Sequence, residues 1–465
     1  MSISNKNENI NGKEREYSPI ETMGLKCRQL KEKQFELRNS LLTDLFEKIP
    51  HIETIHHIFV ATLICLFVNT VVHDYFIHNE INLGMHLIYT GFRNIHIVIF
   101  VWLAFLSLTC FCYYAFNMWA KVRVNFPPKS STYRMWDALW LLSVLGYYGF
   151  SFRLASFIVT AFKLPPASAA IVLLEQVRML MKLHAFIRIN AEQVVKFKAH
   201  SDMDMPELKF SKFVYFLFAP TLIYRNEYPR TKEIRWKFVI YRALEIAAVI
   251  LYHSFIFHKF FIPPFKDFGL RKFTWNEIIV AVFENSIPGL LLKISGFYLI
   301  LHSVQNLFAE LLCFGDRLFY KDWWTSTSFS DYFRTWNLLV QDWLYTFVYK
   351  DIFELSNGNK ILAKVAVFTL SALVHEWVLI YMFGFFFPAL FFSFLFGASV
   401  LSFVKVPKTT VLNVLFWYLL SFGSGLLVSM YSLEYFARNN IKENTGIGSL
   451  GDYFLPKLLT CDCIV

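Results

Sequence analysis

Two residues in this 465-residue chain combine a reactive side chain with a setting that suggests chemistry. His375, in S-A-L-V-H-E-W, lies about thirteen residues into an apolar run over 362–385, with Glu376 beside it. A histidine at membrane depth can act as a general base, a proton relay or a metal ligand, because its ring gains and loses a proton near neutral pH. A hydrogen-bonded structural role is the plain alternative. Zinc is the poorest of these choices, since no second histidine follows at i+4 as an H-E-x-x-H site requires. Asn337, in R-T-W-N after Trp336, is a neutral amide in the polar segment preceding that run, and can donate to a developing oxyanion. There is no G-x-S-x-G elbow and no P-loop. If chemistry occurs, the nucleophile is therefore a substrate hydroxyl activated by His375.

A second group is Glu175, Arg178, Lys182 and His184, which crowd one half of the run over 168–187 at i,i+3 and i,i+4 spacings. Three potential cations against one carboxylate leave spare positive charge. The group is either a structural salt bridge with its remainder at the interface, or a site near an anionic ligand.

These residues need elements that hold them inside a bilayer. Crossing about 30 Å of hydrocarbon takes roughly 20 apolar residues. Nine runs qualify, at 57–76, 96–117, 137–162, 168–187, 238–258, 277–303, 362–385, 387–404 and 410–432. The expected fold is thus all-α and polytopic, with about nine transmembrane helices and further cytosolic or interfacial helices. Residues 1–29 read as a disordered cytosolic tail. The apolar spacing of Phe35, Leu37, Leu41, Leu42, Leu45 and Phe46 predicts an amphipathic pre-membrane helix within 30–56. Residues 57–465 form the membrane domain. Basic residues in the tail and in the 118–136 and 188–237 links place these on the cytosolic side, and nine crossings then put the C-terminus in the lumen. There Cys461 and Cys463 would meet oxidising conditions. The 259–276 link, with Lys259, Lys266, Arg271 and Lys272, fits that map less well.

Composition agrees with a membrane protein. Hydrophobic residues make up 56% and charged ones 17%, against about 25% charged for soluble domains. The chain has 52 Phe and 12 Trp, more large apolar area than soluble cores could hide. Scarce Gly and Pro exclude collagen-like and low-complexity chains. The net charge of +10 is spread over loops, which excludes a nucleic-acid binder.

The string F-Y-K-D-W-W-T-S-T-S-F-S-D-Y-F-R-T-W-N-L-L-V-Q-D-W-L-Y (Phe319 to Tyr345), followed by S-A-L-V-H-E-W (Ser371 to Trp377), resembles the signature of the membrane-bound O-acyltransferase superfamily. Within it, the sequence is similar to the sterol O-acyltransferases. Further matches lie at Ser40 to Glu47, Pro165 to Phe186 and Phe218 to Trp236, so the resemblance runs from about residue 35 to the C-terminus. It implies transfer of a long-chain fatty acyl group from acyl-CoA, a co-substrate rather than a cofactor, to the 3β-hydroxyl of a sterol. It also implies a multi-pass endoplasmic-reticulum protein that forms a dimer or tetramer. Matching positions make His375 the catalytic base and Asn337 the holder of the thioester carbonyl, with Trp336 beside it. Tyr332, Arg334, Ser330 and Lys360 fall along the CoA path, and Ser371 lines the reaction chamber. Three residues depart from the family pattern: Thr325 for Asn, Gln341 for His and Trp377 for Tyr. The last two put the preferred sterol in question. Acylation of diacylglycerol or a long-chain alcohol is the alternative enzyme reading, and lipid transport the alternative of another class.

Overall fold

The computed structural model describes residues 32–79, 81–127, 130–196, 208–398, 407–441, 454–461 and 463–465, which form helices, turns and isolated β-bridges. The expected 1–29 tail lies outside the described residues. In chain order the α-helices are α1 (Leu41–Lys48), α2 (Pro50–His78), α3 (Met85–Gly91), α4 (Ile95–Val124), α5 (Ser131–Ala161), α6 (Pro166–Lys196), α7 (Phe210–Phe218), α8 (Trp236–Ile256) and α9 (Trp275–Glu284). They continue as α10 (Ser286–Phe297), α11 (Gln305–Leu311), α12 (Phe329–Thr335), α13 (Leu338–Leu344), α14 (Lys350–Leu355), α15 (Lys360–Phe383), α16 (Ala389–Phe392), α17 (Thr410–Asn440) and α18 (Lys457–Thr460).

Their ends follow from local chemistry. Ser130 and Thr409 accept from the backbone N–H groups of Tyr133 and Leu412 as N-caps, and Asn359 accepts from those of Ile361 and Leu362. Thr274 and Glu277 form a reciprocal capping box. Gly384, at φ +80°, closes α15 in the left-handed region that a side chain would strain.

Among the described residues, seven helical segments have the length and composition to cross a membrane: Pro50–Ile77, Ile95–Val124, Ser131–Ala161, Trp236–Phe261, Trp275–Leu311, Lys360–Phe383 and Thr410–Asn440. Large apolar side chains such as Ile55, Ile64, Phe76, Phe100, Leu142 and Val411 lie exposed on them, as lipid contact requires. Two of the nine expected runs differ. The fourth, α6, is long enough but carries its charges into the protein interior, packed against α4, α5 and α15. The eighth is helical through α16 and a π-helical turn over Ser393–Ala398, and its continuation over 399–406 lies outside the described residues.

The amphipathic helix expected within 30–56 is shorter than that range. Residues 34–39 are extended, and helix begins only at Leu41. Long-range pairing overrides the helical spacing. The Arg38 N–H donates to the Gly315 carbonyl at 2.9 Å, the Arg317 N–H donates back to Arg38, and the Arg38 guanidinium meets Asp316 at 2.7 Å. Phe35 then packs edge-on against Tyr228.

One crossing fixes the catalytic half. Helix α10 meets α17 where Gly289 and Gly425 touch, and a Cβ on Gly289 would lie 2.6 Å from the Gly425 nitrogen. Asn285 donates to Ser429, and Ser421 donates to the Ser286 carbonyl, across the same contact. This sets which face of α10 turns inward, because Gly289, Lys293 and Phe297 succeed one another at i+4 steps along one side.

Candidate active site

His375 lies in the second half of α15. Its Nδ1 stands 2.7 Å from the Ser371 carbonyl oxygen, one helical turn earlier. A carbonyl only accepts, so in the neutral ring Nδ1 carries the proton and Nε2 keeps its lone pair. The Ser371 hydroxyl is farther, at 3.5 Å. The ring stacks on Phe394 with centroids 5.1 Å apart. Phe394 in turn contacts Phe333 of α12 at 5.7 Å. The imidazole is nonetheless exposed. A ring that faces neighbouring elements and is still exposed borders open space between them. Among the described residues, no three His, Cys, Asp or Glu side chains converge. Glu376 points elsewhere: it is 5% exposed and accepts the Phe391 N–H at 3.3 Å, which braces the segment carrying Phe394.

Asn337 is the N-cap of α13, its side-chain oxygen accepting the Val340 N–H at 3.3 Å. The amide oxygen is thus committed, while the amide NH₂ has no partner among the described residues and is free to donate. The aromatic string before it acts as a backbone brace. The Lys321 N–H donates to Thr335 and the Leu338 N–H donates to Phe319, both at 2.9 Å, so Asn337 is clamped between two main-chain bonds. Trp336 packs against Trp323 at 4.7 Å, Phe297 at 5.0 Å and Tyr332 at 5.1 Å. The Trp324 carbonyl accepts from Asn413 and Trp417 of α17, tying this brace to the spanning bundle.

The other expected residues are placed unequally. Tyr332 is buried at 2% exposure inside the aromatic cluster, and burial holds its phenol well above the ordinary tyrosine range. Ser330 is partly exposed, and Arg334 is exposed and paired with Asp331 on α12. Lys360 is exposed at the start of α15, about 22 Å along the helix from His375. Contacts through Phe333 and Phe394 link α12 to His375, whereas Lys360 stands apart at the far end of its helix. Of the three departures, Thr325 donates to the Asp322 carbonyl in an exposed turn, and Gln341 lies one turn beyond Asn337 on α13. Trp377 packs on Phe152 of α5 at 4.8 Å, on the side of α15 opposite His375.

The charges of α6 are structural. Arg178 pairs with Glu175 at 2.7 Å and also donates to the Leu217 carbonyl, and Trp102 donates to the same carboxylate. The Lys182 ammonium, 1% exposed, donates to the Phe216 and Ala219 carbonyls. Both cations therefore satisfy the open carbonyls at the C-terminus of α7. His184 meets the Tyr148 hydroxyl at 3.0 Å.

Sequence reasoning missed Phe394 and Lys293. Lys293 is the one lysine or arginine within the 277–303 run, a signal that was present. Also missed was a polar network in which Arg242 of α8 reaches His302 at 2.6 Å and His302 reaches the Tyr320 hydroxyl at 2.6 Å, anchoring the aromatic string from behind.

The bundle of apolar helices thus carries an exposed imidazole with one nitrogen held by a main-chain carbonyl, and ring contacts through Phe394 and Phe333 join it to the segment that ends in the capping Asn337. The sequence profile of MBOAT, the membrane-bound O-acyltransferase family, matches residues 85–433, and the chain belongs to that family. It is 38% identical to sterol O-acyltransferase 1 of Mus musculus over 435 residues, covering 92% of this chain and 79% of the relative. Sterol O-acyltransferase 1 of Cricetulus griseus is likewise 38% identical, over 93% and 79%. Sterol O-acyltransferase 2 of Homo sapiens is 34% identical, over 88% and 77%.

Proposed function

We propose that this protein is a sterol O-acyltransferase, moving a long-chain acyl group from acyl-CoA to the 3β-hydroxyl of a sterol to form a storage ester. The observation that carries this reading is the state of His375: Nδ1 is held by a main-chain carbonyl, and Nε2 is free on an exposed ring amid the bundle. In the proposed reaction the sterol hydroxyl gives its proton to Nε2 while its oxygen attacks the thioester carbon, which the Asn337 amide orients. Collapse of the tetrahedral intermediate expels CoA as a thiolate, which takes the proton back from His375. Ser330, Arg334 and Lys360 are assigned to the CoA portion, Ser371 to the chamber wall, and Trp336 with Tyr332 beneath it to the thioester.

The same reading makes the protein resident in the endoplasmic reticulum, with a cytosolic N-terminus and a lumenal C-terminus. Pairing of Phe273 with Cys463 and Val465 supports one part of it, since the basic 259–276 link and the C-terminus share one side. Protease protection of terminal tags in sealed microsomes tests this. A dimer or tetramer belongs to the same reading, and mass photometry of purified protein gives the copy number.

The deciding experiment supplies purified protein with labelled oleoyl-CoA and cholesterol, a plant sterol or diacylglycerol, and resolves the neutral lipids. Sterol ester from the wild type, lost in folded His375→Ala, is expected; a positioned base contributes about 10²–10⁴-fold. Label appearing in triacylglycerol instead would reassign the acceptor, and ester formation by folded His375→Ala would remove the base.

A further inference from the structure

Lys293 lies on the inward face of α10, one turn beyond the glycine contact with α17. Its ammonium stands 5.2 Å from the Trp336 ring and 5.9 Å from the Tyr332 ring. Among the described residues it has no hydrogen bond and no carboxylate partner.

The other buried cations described above have oxygen or ring-nitrogen partners: Lys182 and Arg178 at helix-end carbonyls, Arg242 at Glu245 and His302. Ring faces attract a cation but cannot accept its N–H groups as an oxygen does. A membrane-depth ammonium so placed faces either a wet cavity or a ligand oxygen. Trp336, on which it rests, directly precedes Asn337, so the ammonium lies against the residue that adjoins the free amide.

We infer that Lys293 is a catalytic residue that donates to the thioester oxygen and stabilises the oxyanion formed there. This rests on the acyl-transfer reading above. As the acceptor oxygen bonds to the thioester carbon and its proton passes to His375, the carbonyl π pair moves onto oxygen. That oxygen becomes an anion between the Lys293 ammonium and the Asn337 amide. When the carbonyl re-forms, the carbon–sulfur bond breaks, the thiolate leaves with its pair and recovers the proton from His375. Lys293 keeps its own proton throughout. A fixed cation that meets a partial charge on the bound carbonyl and a full one on the oxyanion acts mainly on kcat and only weakly on ground-state binding.

The test compares wild type, Lys293→Met and Lys293→Arg in purified, monodisperse form, with oleoyl-CoA and cholesterol. Lys293→Met is expected to lower kcat about 10²-fold with KM for oleoyl-CoA within about threefold, and Lys293→Arg to restore part of the loss. A second readout is the ratio of affinities for two inert oleoyl-CoA analogues, a ketone that keeps the carbonyl and a thioether that lacks it. The wild type should prefer the ketone, and Lys293→Met should narrow that preference; a merely structural lysine would not move the ratio. Should Lys293→Met fail to fold, Lys293→Gln carries the same comparison. Wild-type ester formation with an unchanged kcat and analogue ratio in the variant overturns this inference alone. Absence of acyl transfer to any acceptor by the wild type overturns the acyl-transfer reading with it.

Discussion

Asn337 has two tasks that one amide divides between its two ends. The oxygen caps α13, and the nitrogen, unpartnered among the described residues, is the end the proposed reaction assigns to substrate. Substitution can separate them. Asn337→Asp keeps an acceptor suited to the cap but replaces the donor with a carboxylate, so its melting temperature should stay within a degree or two while kcat falls about 10²–10³-fold. Asn337→Ala should lose both, with about 1 kcal/mol of stability gone as well. Melting curves read by detergent-phase fluorescence, beside initial rates, distinguish the two. At this scale much was legible in the sequence, because His375 and Asn337 sit in long motifs whose chemistry follows from residue type. The tautomer was not legible. It depends on a carbonyl one turn away in a helix whose phase only coordinates reveal.

Elements place these side chains through contacts between backbones. Helix α10 carries Lys293 and Phe297 toward the aromatic string only because Gly289 lets it lie against α17. Gly289→Ala adds a methyl group where main chain already stands, and should cost on the order of 1–3 kcal/mol, as overpacked sites do. Gly289→Leu should displace the helix and lower kcat together with the melting temperature. A variant with normal stability and activity would show that the crossing is looser than described. The spanning runs were readable from composition, since lipid tolerates little but apolar side chains on the outside. Residues 34–39 were misread as helix from the spacing of Phe35 and Leu37 with Leu41, Leu42, Leu45 and Phe46, whereas the backbone of Arg38 pairs with Gly315 and Arg317, nearly three hundred residues away. No local pattern encodes such a partner.

For the whole molecule, the decisive feature is a charged helix wrapped by apolar ones. Lys182 holds the end of α7 to α6 through two carbonyls and is itself buried. Lys182→Met should cost about 1–3 kcal/mol for each carbonyl left unpaired, seen as a lower melting temperature with KM for acyl-CoA unchanged. A raised KM at unchanged melting would instead return these cations to ligand binding. The sequence displayed the surplus charge but not its destination, because helix-end carbonyls carry no side-chain signature. The shielding of α6 also bears on biogenesis. A segment with Glu175, Arg178 and Lys182 partitions poorly into lipid by itself. Trp102 of α4, which donates to Glu175, is synthesised before it, whereas the carbonyls of α7 emerge just after. A nascent chain interrupted between α6 and α7 would hold Lys182 without its carbonyl partners and Arg178 with Glu175 alone, a costly intermediate in lipid.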